Sequence, residues 1–123
     1  MFTIVVSGTR HGASDISKVH DTLDEIASTH ESIRLVHGGC RGIDVQCANY
    51  GEKMGWNVTQ VDAEWSKYGS RAGPIRNKQM LIDYKPDVVV CFPHSTRESK
   101  GTYSTIRLAK DVCNIENIIV VKV

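Results

Sequence analysis

The sequence predicts an α/β fold: a single Rossmann-like, doubly wound domain over residues 1–123, with a five-stranded, mostly parallel sheet in the order 3-2-1-4-5 and helices on both faces. Three observations predict this fold. Short β-branched runs alternate with segments of helical periodicity, the strand runs are apolar throughout, and polar or glycine-containing turns follow them. Right-handed crossovers between parallel strands then favour that strand order.

Five apolar runs predict the strands, because β-branched and aromatic residues suit a pleated and buried backbone. In chain order they are Phe2–Val6, Ile33–Val36, Trp56–Val61, Val88–Phe92 and Ile118–Val121.

The first two helices are predicted from their end signals and from apolar residues three or four positions apart. Ser14 or Asp15 is suited to cap the first helix. The second helix begins near Gly42 and stops at Gly55, a residue type common just beyond helix ends.

The remaining helices follow a long connection, residues 62–73, which is expected to be a loop. Pro74 suits the first turn of the third helix, which continues through Ile82. Thr102 is the expected cap of the fourth helix, whose inward face includes Val112.

Composition narrows the class of protein. The formal net charge is +1, with 41% hydrophobic and 24% charged residues, so no strong field indicates a nucleic-acid or membrane partner. No apolar run reaches the roughly 18 residues of a membrane span. The four cysteines form no CxxC pair, which predicts free thiols and a cytoplasmic location. No histidine or acidic spacing indicates a metal site, and no cofactor is expected.

Four polar segments follow the predicted strands: Ser7–Gly12, His37–Asp44, Trp65–Asn77 and Pro93–Thr102. The carboxyl ends of parallel strands meet at one edge of the sheet, and ligands bind there at the switch point between strands 1 and 4. We therefore expect these segments to form one pocket that favours negative charge.

The segment Leu35–Asp44 contains the turn around which the rest of the chain is organised. Its glycines permit close approach of a ligand, and the following helix directs its N–H groups into the gap. Arg41 adds a positive charge, and Asp44 is placed to accept a hydrogen bond from a ligand hydroxyl. Close packing of the turn is the alternative interpretation.

The segment Trp65–Asn77 is the densest functional candidate. Trp65 offers a face for stacking a base, and Arg71 and Arg76 offer forks for phosphate or carboxylate. A structural lid over the pocket is the alternative. Because Arg76 lies in a first helical turn, we expect an anion to offset it, either a ligand or a neighbouring carboxylate such as Glu64 or Asp44. Asn77 has a ligand-binding role or a structural one, and Gly101 and Thr102 form a second anion cradle or an ordinary cap.

The candidate residues fall into two groups. Those expected to bind the ligand or its phosphate are Ser7, Gly8, Thr9, Arg10, Gly38, Gly39, Arg41, Gly42, Asp44, Trp65, Arg71, Arg76, Asn77, Gly101 and Thr102. Those expected to act in catalysis, if there is any, are Arg76, Glu64 and Glu98.

Four motifs, Ser7–Arg10, His37–Asp44, Ala63–Trp65 and Ala72–Met80, together resemble the YspA-like branch of the SLOG superfamily, which includes Smf/DprA proteins and LOG-type phosphoribohydrolases. The resemblance spans nearly the whole chain. It implies a Rossmann-like fold that binds a nucleotide or a nucleotide-derived ligand, in a protein of phage or bacterial type. LOG-type relatives are dimers, so the resemblance also implies a homodimer.

LOG-type enzymes cleave the N-glycosidic bond of nucleoside 5′-monophosphates with an arginine and a glutamate, the latter in a Pro-Gly-Gly-x-Gly-Thr-x-x-Glu motif. Arg76 matches the arginine. The run from Pro93 lacks the glycine pair, and Thr105 stands at the position of the glutamate.

Three functions follow. The first is a protein that binds a nucleotide or an ADP-ribose-like ligand as sensor, carrier or sequestering protein. The second is a phosphoribohydrolase whose acid comes from a new position, namely Glu64, Glu98 or Asp44. The third is a DNA-processing helper related to Smf/DprA, which the near-neutral charge argues against.

Overall fold

The computed structural model describes residues 1–123 and shows the predicted α/β fold, with five parallel strands in the order 3-2-1-4-5. The strands are β1 (Phe2–Gly8), β2 (Ile33–His37), β3 (Asn57–Gln60), β4 (Val88–Phe92) and β5 (Ile118–Val120). The helices are α1 (Ser17–Ala27), α2 (Ile43–Lys53), α3 (Trp65–Tyr68), α4 (Ala72–Tyr84) and α5 (Lys100–Arg107).

Helices cover both faces of the sheet, and the side-chain alternation of β1 shows how. Ile4 and Val6 pack in one apolar cluster with Leu23 of α1. Val5 lies in a second cluster with Met80 of α4. Strands buried on both faces explain why the strand runs are apolar without interruption.

The connection predicted as a loop, residues 62–73, is largely helical, so that prediction was wrong. It contains α3, a 3-10 turn over Gly69–Arg71 and the start of α4. Its short helices lack the apolar periodicity by which longer helices are recognised, since none of the residues of α3 or the 3-10 turn is buried.

Two predictions about the last helix were also wrong. Ser99, not Thr102, is the residue at the start of α5, and its hydroxyl accepts a hydrogen bond from the His94 N–H at 2.9 Å. Val112 is 50% exposed instead of buried. The helix ends in a π-helical turn over Leu108–Val112, which widens the turn and rotates Val112 away from the sheet.

β1 and β4 are neighbours in the sheet, but the chain continues from β1 to β2 on one side of this pair and from β4 to β5 on the other side. The connections that follow β1 and β4 therefore diverge. A crevice therefore opens at the carboxyl ends of β1 and β4. Separately, no helix combines the length and the apolar character that crossing a bilayer requires.

Candidate functional site

A cleft of about 430 Å³ lies at the carboxyl ends of β1 and β4. All four polar segments expected there contribute to its lining. The predicted site residues in its lining are Ser7, Gly8, Thr9, Arg10, Asp44, Trp65, Arg76, Asn77, Glu98, Gly101 and Thr102. The volume is within the range of small-molecule sites.

Arg76 projects from the first turns of α4 into the floor of the cleft and is only 6% exposed. Its Nη1 donates to the Gly38 carbonyl at 2.6 Å, and its Nε donates to Asn77 Oδ1 at 2.8 Å. The single ion pair of the chain joins the exposed side chains of Lys100 and Glu98. Arg76 is thus a buried cation without a carboxylate partner, and neither Glu64 nor Asp44 offsets it as an ion pair.

Asp44 is 5% exposed and lies in the first turn of α2. Its Oδ2 accepts hydrogen bonds from the N–H groups of Gly38 at 3.0 Å and Cys40 at 3.3 Å. Burial raises the pKa of this carboxyl to about 6, although both hydrogen bonds and the charge of Arg76 act in the opposite direction.

The glycine turn uses its own N–H groups internally. Gly39 donates to His37 Nδ1 at 3.0 Å, and Asp44 accepts from Gly38 and Cys40, so the N–H groups of Gly38–Cys40 all have protein acceptors. Burial lowers the pKa of His37, consistent with an unprotonated Nδ1. These N–H groups face side chains of the protein rather than an open anion site.

Gly38 in this turn and Gly42 just after it lie where protein atoms leave no space for a side chain. A Cβ at Gly38 would lie 2.6 Å from Arg76 Cζ, and one at Gly42, where φ is +82°, would lie 2.4 Å from the Thr9 carbonyl oxygen. A Cβ at Gly101 would meet nothing within 4 Å. Gly101, at the start of α5, is therefore the glycine of the cleft that has open space beside it.

The N-terminus of α5 lines the cleft without a side-chain cap. The N–H groups of a first helical turn have no intrahelical acceptors, and they carry the positive end of the dipole. Thr102 is 3% exposed and its hydroxyl forms no hydrogen bond with the protein. Thr105, at the position of the LOG-type glutamate, is fully buried and donates to the Gly101 carbonyl at 3.1 Å.

The other predicted residues lie outside the cleft. Gly38, Gly39 and Arg41 line an adjoining depression that shares Arg10, Cys40, Trp65 and Arg76 with the cleft. Gly42 is packed against the β1–α1 loop. Glu64 does not line the cleft but a further depression beside α4, which shares Arg76 with the cleft. Arg71 is exposed at the end of the 3-10 turn.

Three polar residues of the cleft wall were not among the predicted site residues, namely Ser70, Ser99 and Ser104. The first two lie within segments predicted to form the pocket, and Ser104 lies beyond them. Lone serines carry no distinctive spacing, so no signal in the sequence marks them. His11 also lines the wall, and its ring packs edge-on against His94. The pKa of His11 is lowered, first by partial desolvation and then by positive charge on Arg97, His94 and Arg41.

The amino-acid sequence is similar to one protein family and to one phage protein. A sequence model of the YspA, cpYpsA-related SLOG family matches residues 2–68. The Gene 61 protein of Mycobacterium phage D29 is 33% identical over 116 residues, which cover 89% of this chain and 90% of that protein. The family match includes β1, the glycine turn and α3.

Proposed function

Because the chain belongs to the YspA, cpYpsA-related SLOG family, we propose that its cleft binds a nucleotide or a nucleotide-derived, ADP-ribose-like small molecule, which the protein senses, carries or sequesters. Membership of this family indicates a nucleotide-related small molecule in general terms. The choice of an anionic ligand, and of its position, rests on the chemistry of the cleft.

Arg76 is the observation that carries the proposal. A buried guanidinium without a carboxylate partner has lost water and gained only neutral acceptors, which costs free energy. A bound anion supplies the missing negative charge. Arg10 and Lys100 add two further cations to the cleft lining.

In this proposal the phosphate of the ligand binds at the first turn of α5. The uncapped N–H groups of Lys100–Thr102 and the unpartnered hydroxyl of Thr102 provide donors there, and Gly101 leaves the space open. Trp65 is 52% exposed at the cleft and offers its face to a base.

Calorimetric titration of the full chain with adenosine 5′-monophosphate, adenosine 5′-diphosphate and ADP-ribose tests the proposal. We expect binding of at least one of them. Thr102→Val removes one hydroxyl with little change in volume and is expected to weaken that binding about tenfold, the value of one good hydrogen bond to a charged group. Thr29→Val, an exposed substitution outside the cleft, is the control and is expected to bind as wild type does. Absence of binding by every compound would contradict the proposal.

Hydrolysis of the sugar–base bond is a second candidate function, favoured by one observation. A buried carboxyl with a raised pKa, Asp44, lines the same cleft as Arg76, whereas the position of the LOG-type glutamate is occupied by Thr105. Incubation with purine nucleoside monophosphates and chromatography for free base tests it. Binding of a nucleotide without release of its base would support a binding protein and exclude hydrolysis of those compounds.

A further inference from the structure

We infer that Asp44 is the group in the cleft that recognises a sugar hydroxyl, so that the protein selects phosphorylated sugars over phosphate alone. The inference rests on the proposed function, because it takes the anion site at α5 as given. It adds a second point of recognition and names the chemistry that this point accepts.

The two oxygens of Asp44 have different surroundings. Oδ2 is held by the N–H groups of Gly38 and Cys40. Oδ1 accepts no hydrogen bond from the protein, and it is not sealed from solvent, since the only sealed side-chain atom without a partner is Arg34 Nε. Asp44 is 5% exposed and lines the cleft, so a ligand in the cleft is the source of a donor for its free oxygen.

A free carboxylate oxygen selects one kind of group. It repels phosphate and accepts O–H or N–H donors, whereas Arg76 and the N-terminus of α5 attract phosphate. A ligand that satisfies the whole cleft therefore carries an anion at one end and a donor at the other. A phosphorylated sugar has both, and inorganic phosphate is too small for a cleft of about 430 Å³.

Asp44→Asn tests this role with a change of one atom. The amide oxygen can still accept from the N–H groups of Gly38 and Cys40, which keeps the turn in place, while the amide nitrogen presents a donor to the ligand space. The ligands are ribose 5-phosphate and inorganic phosphate, titrated separately at pH 8. Asp21→Asn, the same substitution on the exposed surface of α1, is the control.

We expect wild type to bind ribose 5-phosphate at least tenfold more tightly than phosphate. Asp44→Asn is expected to lower the affinity for ribose 5-phosphate about tenfold and to leave that for phosphate unchanged or slightly raised. Equal affinity of wild type and Asp44→Asn for ribose 5-phosphate, or an equal loss for both ligands, would overturn the inference while leaving the anion site intact. Failure of wild type to bind either ligand would overturn the anion site itself.

Discussion

Arg76 and Asp44 both form hydrogen bonds with the backbone of the same short turn, Gly38–Cys40, one as donor and the other as acceptor. Arg76 donates to the Gly38 carbonyl, and Asp44 accepts from the N–H groups of Gly38 and Cys40. The two opposite charges are buried near each other without forming an ion pair. Each therefore keeps part of its desolvation cost, which is a common feature of functional sites.

Replacing Arg76 is expected to cost stability as well as binding. Arg76→Met leaves the buried carbonyl of Gly38 without its donor and removes a second, part-buried hydrogen bond to the Val61 carbonyl, but it also removes a buried charge that has no carboxylate partner. We expect the free energy of unfolding to fall by about 1 kcal/mol. Urea unfolding measures the change. Arg71→Met, at an exposed arginine in the 3-10 turn before α4, is the control and is expected to change stability by less than about 0.5 kcal/mol. Equal stability of the two variants would contradict the structural role of Arg76.

The raised pKa of Asp44 predicts a specific pH dependence. The folded state shifts this pKa from 3.8 to about 6, so folding favours the protonated carboxyl. Its contribution to stability is fully present below pH 3.8 and is lost as the pH rises through about 6. At pH 8 the charged carboxylate then costs about 3 kcal/mol relative to low pH.

Asp44→Asn isolates this dependence, because an amide does not titrate. We expect the stability of wild type, measured relative to Asp44→Asn by urea unfolding from pH 4 to pH 8, to fall as the pH rises. His37, whose pKa is lowered by burial, is present in both proteins, so its own titration largely cancels in the difference. A stability difference that does not change with pH would contradict the assigned pKa.

At the scale of elements, the five strands and the helices α1, α2 and α4 are predictable from the sequence. Each of them has its own pattern of apolar residues or its own end signals. The apolar runs of β1 and β4 allow no other interpretation within an α/β chain. The proposed anion site was less predictable. The glycine turn was the stronger sequence candidate, yet its N–H groups are taken by His37 and Asp44. A sequence pattern shows that donors exist but not which side chains the fold brings to them.

Two glycine substitutions distinguish the turn from the helix that follows β4. In Gly38→Ala the new methyl group lies 2.6 Å from the buried Arg76 Cζ, and we expect a loss of about 2 kcal/mol. In Gly101→Ala it enters open space in the first turn of α5, and we expect stability equal to or slightly above that of wild type. Thermal unfolding compares the two, and an equal destabilisation would contradict the packing described for Gly38.

At the scale of the whole molecule, the order of strands explains why four distant segments meet. Only β1 and β4, the central pair, lead into loops that diverge, and the cleft lies between those loops. This edge was predictable from topology alone. The helical character of residues 62–73 was not, and it is what turns Glu64 and Arg71 away from the cleft.

The homodimer implied by the family resemblance stays a prediction. Ile75 and Ile82 are large apolar side chains exposed along α4, which suits a contact between subunits. Light scattering after size-exclusion chromatography is expected to give twice the chain mass of 13.7 kDa. A mass of one chain at micromolar concentration would contradict the prediction.

The position of the bound anion is the central claim, and an NMR titration of the ¹⁵N-labelled protein with adenosine 5′-monophosphate tests it most directly. We expect the largest amide shifts at Lys100, Gly101 and Thr102, whose N–H groups open α5, and smaller ones at Gly38–Cys40, whose N–H groups already have acceptors. Saturable shifts that are largest at Gly38–Cys40 or on the outer side of α4, with Lys100–Thr102 unmoved, would contradict it.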